Sequence, residues 1–145
     1  MRRPLRTAWL VAALLAGLAA SSCQWAGDTK AVRVSFSALK DTIEDVSARL
    51  DGAVEEGSAD RVPAIDRELN TVLDTAEKQS SAMNILDREH LAISIATARQ
   101  CISAMDRYAQ SGDSELLRAQ NQQLQPTIKE IQELLERADR ATTAK

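Results

Sequence analysis

The chain has 145 residues, of which 18 are basic, 21 are acidic and one is histidine, and its formal net charge is −3 at pH 7. A chain of this length holds one small domain. Its acidic balance argues against a nucleic-acid-binding surface and offers no attraction to anionic lipid. With a single histidine, most histidine-dependent catalytic and metal chemistry is also excluded.

The first 23 residues have the pattern of an export signal. Three arginines among the first six residues precede the apolar run Thr7–Ala20, and Ser21 and Ser22 stand directly before Cys23. The apolar run has about 14 residues, whereas a membrane-spanning helix needs about 20. A basic start, a short apolar core and small residues before the cleavage point are typical of a secretory signal peptide. We therefore predict that residues 1–22 are a signal peptide.

Cys23 and the small residues before it resemble the lipobox of bacterial lipoproteins, although Ala20 stands where lipoboxes usually carry leucine. The resemblance implies cleavage between Ser22 and Cys23, acylation of the Cys23 thiol and a lipid anchor in the cell membrane. Gln24 follows the cysteine, which by similarity to enterobacterial lipoproteins implies the outer membrane, facing the periplasm. The alternative is an ordinary signal peptide cut between Ala19 and Cys23, which would leave a soluble secreted or periplasmic protein.

Beyond the signal peptide, 15 of the 18 basic side chains remain against all 21 acidic ones, a net charge of about −6. We predict that residues 23–30 are the lipidated cysteine with a short polar tether, and that residues 31–145 form a helical bundle domain. Cys101 is the other cysteine and falls in an apolar helical pattern, so we expect it to be buried. If Cys23 is not acylated, a Cys23–Cys101 disulfide is the alternative.

Apolar residues then recur at helical spacing in four stretches. The first stretch alternates steps of four and three, as in a coiled-coil seam. The four predicted stripes consist of Val32, Phe36, Leu39, Ile43, Val46, Leu50 and Ala53; of Ile65, Leu69, Val72, Ala76 and Met83; of Leu91, Ile95, Ala98, Ile102, Met105 and Ala109; and of Leu117, Asn121, Leu124, Ile128, Ile131, Leu135 and Ala138.

Two glycine-containing segments separate these helices. Gly57 ends the first predicted helix, with Ser58 and Asp60 as candidate N-caps of the second and Pro63 near its first turn. The segment 111–113, Ser-Gly-Asp, separates the third helix from the fourth. Each predicted pair is therefore a helix, a glycine turn and a second helix.

The remaining boundaries carry weaker signals. Between the second and third stripes the apolar phase changes at residues 80–84, without glycine or proline. We predict a turn there, and one bent helix of about 50 residues is the alternative. Pro126 lies inside the last predicted helix, where it should kink the helix or restart it.

A shift of the chain by 55 residues against itself superimposes the two predicted hairpins. We therefore predict an all-α protein, an antiparallel up-down four-helix bundle made of two αα-hairpins, with three helices as the alternative if the second and third are one long bent helix. The shift places Gly57 on Gly112, Leu50 on Met105, Asp51 on Asp106, Leu69 on Leu124 and Leu73 on Ile128.

Catalytic and metal-binding patterns are sparse. Asp87, His90 and Ser94 have triad-like spacing on a helix, but a polar helix face generates such spacing and no oxyanion-binding motif accompanies it. Asp87 and His90 form one carboxylate-x-x-His pair, whereas a ferritin-like di-iron site needs two. Cys101 lies eleven residues from His90, about 16 Å along a helix. We predict no metal site and no enzymatic activity.

Residues 120–123, with the sequence Gln-Asn-Gln-Gln, form the most distinctive polar segment of the mature domain. Gln120, Gln122 and Gln123 are candidate partner contacts because amides can hydrogen-bond across a helix interface, and Asn121 falls on the predicted seam. A solvated helix face is the alternative explanation for the same run.

These features predict a lipid-anchored, non-enzymatic helical lipoprotein of the cell envelope that acts through protein–protein contacts in a structural or adaptor role. Its expected partners are the membrane, through the lipid on Cys23, and an envelope protein, with no nucleic acid, metal or further cofactor. The alternative is a periplasmic small-ligand-binding or sensor module, or an inhibitor of a secreted enzyme. A pocket between the helices would favour ligand binding, whereas a close-packed interior with an exposed apolar patch would favour a protein partner.

Overall fold

The computed structural model describes residues 34–144, and within them it contains four α-helices and no strand. Helix α1 is Phe36–Glu55, α2 is Val62–Gln79, α3 is Ile85–Ser111 and α4 is Ser114–Thr143. Each helix packs on the next one along the chain, and α4 packs back on α1, so the four helices enclose one core. The structure therefore confirms the predicted antiparallel four-helix bundle.

The core is built mainly from the predicted stripes, with one replacement and several additions, whereas Met83 and Ala109 are only partly buried and Val32 lies outside the described residues. Leu73 is fully buried in place of Val72, because the steps of four and three from Leu69 lead to Leu73 and Ala76. Leu134 joins α4's stripe. The largest fully buried side chains are Ile43, Leu50, Leu69, Leu73, Leu91, Ile95, Ile102, Met105, Leu124, Ile131, Leu134 and Leu135.

The two hairpins use the same turn. Gly57 and Gly112 have φ angles of 72° and 73°, in the left-handed region that glycine adopts without steric cost. The amide of Ser58 donates to the carbonyl of Ala53 over 2.9 Å, and the amide of Asp113 donates to that of Tyr108 over 3.0 Å. Both turns are thus Schellman motifs that satisfy the last carbonyls of α1 and α3.

The predicted N-caps of the second helix are wrong. Helix α2 begins at Val62 with Arg61 at the N-cap position, and no side chain caps it. Ser58 is used through its backbone instead, since its carbonyl accepts from the Arg61 amide over 3.0 Å in the turn that leads into α2. Pro63 lies in the first turn as predicted, where its missing N–H has no helical partner to lose.

A turn separates α2 from α3, so the alternative of one long bent helix is wrong. Residues Ser80–Ala82 form a single 3₁₀ turn. Asn84 then caps α3, because its side-chain oxygen accepts from the amide of Asp87 over 2.9 Å. This local capping bond gives the chain a new helix start without glycine or proline. Met83 lies in the turn and is half-buried.

Helix α4 runs without interruption through Pro126 from Ser114 to Thr143, so the predicted restart does not occur. Pro126 is exposed, which leaves the carbonyl of Gln122, its lost helical partner, on the solvent side. Leu124 and Ile128 are buried on the opposite side and hold the two parts of the helix against the core.

Ion pairs and hydrogen bonds at the surface show how the ends of the bundle are arranged. The amide of Ser37 donates to Asp139 over 3.2 Å, which joins the start of α1 to the end of α4. Arg137 and Asp87 pair at 3.1 Å, which brings the start of α3 to the same end. We call this end, where α1 and α3 begin and α4 ends, the proximal end. The opposite end, which contains the turns at Gly57 and Gly112, is the distal end. None of the helices in residues 34–144 is long and apolar enough to cross a membrane.

Candidate functional site

Helices α1 and α4 border a surface groove of about 590 Å³. The groove is open to solvent, and the buried core residue Ile128 forms part of its lining. Its lining mixes carboxylates, amides and one ammonium group. The lining residues are Glu44, Ser47, Ala48, Asp51, Gln125, Pro126, Ile128, Lys129 and Gln132.

Side-chain hydrogen bonds connect three lining residues of this groove, Ser47, Asp51 and Gln125, through the buried Asn121. The amide nitrogen of Asn121 donates to Oδ1 of Asp51 over 2.7 Å. Gln125 donates to Oδ1 of Asn121 over 3.2 Å and accepts from the hydroxyl of Ser47 over 3.3 Å. Asn121 is 1% exposed, so its amide lies at the predicted seam and has a partner on both its nitrogen and its oxygen. The network fixes α1 against α4 beside the groove.

The three glutamines predicted as partner contacts lie on two sides of α4. Gln122 is exposed and lies one turn before Gln125 and Pro126, on the side of the groove. Gln120 and Gln123 lie on a different side, and the amide of Gln120 donates to that of Gln123 over 3.2 Å. The structure therefore brings only Gln122 near the groove, and partner binding by these residues stays a prediction.

The Asp87, His90 and Ser94 side chains do not share one surface. Ser94 is buried on the core side of α3, whereas His90 is exposed. Asp87 accepts a bond of 2.6 Å from the side chain of Asn84 and pairs with Arg137. The bond from Asn84 is the main cause that lowers the pKa of Asp87, and Arg137 lowers this pKa further. Asp87 therefore belongs to the cap of α3 and to a contact with α4.

Helix α3 carries an apolar strip at the proximal end that no other part of residues 34–144 covers. Ile85, Leu86 and Ile93 are 63%, 72% and 64% exposed, respectively. Leu86 and Ile93 are seven residues apart, and Ile85 lies eight before Ile93, so the three side chains occupy one side of the first turns of α3. We call these three residues the α3 strip. Exposed large aliphatic side chains that cluster are typical of contact surfaces.

Two carboxyl groups that the sequence did not single out lie between α2 and α3. Asp66 is 0% exposed, and neither of its carboxyl oxygens has a hydrogen-bond partner among residues 34–144. Oδ1 of Asp106 is likewise buried without a partner in this part of the chain. The pKa of Asp66 is raised to about 8, first because of its burial and second because of the negative charge of Asp106. The 55-residue repeat of the sequence could have indicated this pair, because it places Asp66 on the predicted seam residue Asn121.

The remaining candidates concern metals and thiols. Within the described range, no group of three or more histidine, cysteine, aspartate or glutamate side chains is arranged to hold a metal ion. Cys101 is buried on α3, as predicted for a small apolar core residue, and has no disulfide partner within residues 34–144. Ser22 and Cys23, the predicted cleavage and lipidation residues, lie outside the described residues.

The described residues thus form an all-α four-helix bundle with a polar groove, an apolar strip and a buried carboxyl pair. Comparison of the chain with protein-family models, with curated protein sequences and with solved structures returns no match.

Proposed function

We propose that the protein is a lipid-anchored, non-enzymatic lipoprotein of the bacterial cell envelope that acts through contacts with a protein partner, in a structural or adaptor role. The signal-like residues 1–22 and Cys23 support the anchor. The α3 strip is the observation that carries the protein contact, because three large aliphatic side chains face solvent while the interior is closely packed.

The partner surface that fits the α3 strip is the apolar side of a helix. Leu86 and Ile93 repeat after seven residues, the spacing at which one helix presents anchors to another. The strip begins at the proximal end, where Val34 and the start of α1 also lie. If Cys23 is acylated, ten residues separate the anchor from Val34, so Val34 stays within about 40 Å of the bilayer. The partner is accordingly expected close to the membrane.

The anchor is tested by the intact mass of the protein from the membrane fraction of a bacterial host, beside the Cys23→Ala variant. We expect an N-terminus at Cys23 that carries acyl chains, and a variant that leaves the membrane fraction. An unmodified, soluble product cut before Cys23 would contradict the anchor and would move the protein to the periplasm or the exterior.

The protein contact is tested by photo-crosslinkers at Leu86 and at Ile93, with the exposed Thr71 of α2 as the matched control position. We expect both α3 positions to give one adduct of the same mass, and Thr71 to give none. The adduct should disappear in Ile85→Glu, whose free energy of unfolding should change by less than about 0.5 kcal/mol because the site is exposed. Adducts that form equally at Thr71, or that survive Ile85→Glu, would contradict the contact.

The groove between α1 and α4 favours a second candidate, a small-ligand-binding or sensor module. Its volume of about 590 Å³ is within the range of ligand pockets, and its amides and carboxylates can hydrogen-bond a polar ligand. Its openness to solvent makes it the weaker candidate, since ligand pockets usually enclose most of the ligand. A bound metabolite in native mass spectra that is lost in Gln125→Ala, with the α3 strip intact, would move this candidate to first place.

A further inference from the structure

The 55-residue repeat of the sequence is also a repeat of contacts in the bundle. The shift places Asp51 on Asp106 and Asn121 on Asp66, and the two glycine turns have matching φ angles. A hydrogen bond between Asn121 and Asp51 joins α4 to α1, whereas Asp66 and Asp106 lie near each other on α2 and α3 without such a bond. The two hairpins therefore meet through the same pair of positions twice, once at each of their two interfaces.

The chemistry of the two contacts differs by one group. In the first contact, the buried Asn121 amide donates to the Asp51 carboxylate over 2.7 Å. In the second, Asp66 takes the place of the buried amide and offers no N–H to Asp106. Ionised carboxylates only accept hydrogen bonds, and two of them out of water repel each other. Such a buried contact is costly unless one carboxyl group keeps a proton.

We propose that Asp66 and Asp106 together bind one proton, and that Asp66 donates it to the Asp106 carboxylate as Asn121 donates to Asp51. The pair is then a proton-binding site that holds α2 against α3 in its protonated form. Three observations carry this: the full burial of Asp66, the three buried carboxyl oxygens without a partner among residues 34–144, and the equivalent amide bond at the other interface. The raised pKa of Asp66 agrees with it.

A proton fits this site better than a metal ion. Ca²⁺ takes six to eight oxygen ligands and Mg²⁺ takes six in near-octahedral geometry. Two aspartates supply too few, and no third histidine, cysteine, aspartate or glutamate within the described range completes a metal-binding group with them.

Three basic side chains on the neighbouring helices and turn are paired with other carboxylates. On the α1–α2 side, Arg61 pairs with Glu56 at 3.3 Å, and Arg49 pairs with Glu68 at 2.6 Å. On the α4 side, Arg118 pairs with Glu55, the last residue of α1, at 3.6 Å.

On the two helices that carry the pair, the neighbouring charges give no compensation either. Arg67 and Arg107 follow Asp66 and Asp106 directly in sequence and are exposed. Tyr108 is partly buried against the core. The charge that acts on Asp66 across the interface is that of Asp106, which opposes ionisation.

The sign of the pH dependence follows from the direction of the shift. The unfolded Asp66 carboxyl has a pKa of about 3.9, whereas in the fold the value is raised to about 8. The folded chain therefore keeps a proton that the unfolded chain has lost between these values. The folding constant should be highest near pH 4, fall by up to about tenfold per pH unit as the pH rises, and level off above about pH 8.

The first experiment follows the side-chain carboxyl ¹³C signal of Asp66 in the full chain from pH 3 to pH 10. We expect this signal to titrate with a midpoint well above that of an ordinary aspartate. A midpoint near pH 4 would overturn the proposal. This measurement is made on the unaltered protein, so it does not depend on whether any variant folds.

The second experiment measures denaturant unfolding at pH 5, 7 and 9 for the full chain, Asp66→Asn and the control Asp60→Asn, which changes an exposed aspartate at the distal end. Asp66→Asn reproduces the Asn121 arrangement, so we expect it to lose most of the pH dependence and to raise the folding constant at pH 9 by at least about tenfold. Asp60→Asn should keep the dependence of the unaltered chain. An undiminished dependence in Asp66→Asn would overturn the proposal.

The reciprocal variant and a metal titration complete the test. Asn121→Asp recreates the carboxyl pair with Asp51 at the other interface, and we expect a new fall of the folding constant as the pH rises. The absence of any new pH dependence in Asn121→Asp would overturn the equivalence of the two contacts. A rise in melting temperature with Ca²⁺ or Mg²⁺ at pH 8, present in the unaltered chain and lost in Asp66→Asn, would show a metal site instead of a proton site.

Discussion

Asn121 is a buried polar side chain whose amide is satisfied from two helices. Its nitrogen donates to Asp51 of α1, and its oxygen accepts from Gln125 of its own helix. A buried amide in this position is costly without both partners, and the bond to a charged group is stronger than one between neutral groups. The residue therefore holds α1 and α4 in register as well as filling the seam.

Replacement of Asn121 by alanine should lower the free energy of unfolding by about 1–3 kcal/mol, because it removes the bond to Asp51 and leaves a small void in the seam. Urea unfolding at pH 7 measures this change. Gln123→Ala is the matched control, since Gln123 is exposed on the same helix, and it should change the value by less than about 0.5 kcal/mol. Equal effects of the two variants would contradict the structural role of Asn121.

At the scale of the element, α4 is the longest helix of the bundle and carries a proline in its interior. Its 30 residues run from Ser114 to Thr143 without a break. Pro126 removes one helical hydrogen bond on the exposed side, while the buried stripe continues on the other side. Tertiary packing therefore overrides a residue that would interrupt an isolated helix.

Pro126→Ala should raise the free energy of unfolding by about 1–3 kcal/mol, because alanine restores the donor to the Gln122 carbonyl and removes the clash of the ring with the preceding turn. Thermal unfolding followed by circular dichroism measures this. Pro63→Ala is the control: Pro63 lies in the first turn of α2, where the missing donor has no helical partner, so its replacement should stabilise far less. If Pro126→Ala destabilised the chain, the proline would be part of a favourable packing contact instead.

Ile128→Asp tests the buried stripe of the same helix. Ile128 is 2% exposed, so an aspartate there would bury an unpaired charge, and we expect a loss of more than about 4 kcal/mol or failure to fold. Lys129→Asp places the same side chain at the next position, which is exposed, and should leave the fold intact. Unchanged melting of Ile128→Asp would mean that α4 turns another side toward the core.

At the scale of the whole molecule, residues 34–144 enclose one continuous apolar core to which all four helices contribute. No helix can keep its stripe buried after its neighbours leave, so the helices should unfold together. We expect a strongly helical circular dichroism spectrum and a single transition whose midpoint is the same by circular dichroism and by tyrosine fluorescence. Separate transitions for the two hairpins, or a spectrum typical of a disordered chain, would contradict this.

The positions of the helices follow from the sequence because they depend on local features. Helical spacing of apolar residues located the four stripes, and the two glycines located both hairpin turns. The Ser58 and Asp60 caps were mispredicted because a backbone turn at this point takes over what a side-chain cap would do. The proline in α4 was mispredicted because packing on the other helices compensates for its local cost.

The functional features depend on which sides of the helices meet, and local periodicity does not contain that information. The sequence indicated Asn121 as a seam residue and grouped the three glutamines, yet only the assembled bundle separates Gln122 from Gln120 and Gln123. The groove and the α3 strip exist because α4 and α1 leave one surface open and because none of the four described helices covers the start of α3.

The buried carboxyl pair shows most clearly which features follow from the local sequence and which depend on the packing of the helices. The sequence determined that Asp66 lies beside an apolar stripe on one helix and Asp106 beside another. Only the tertiary structure decided that these two side chains face each other, because the approach of α2 to α3 joins residues that are 40 positions apart. A helix is specified by neighbours in sequence, whereas the protonation of a buried group is set by neighbours in space.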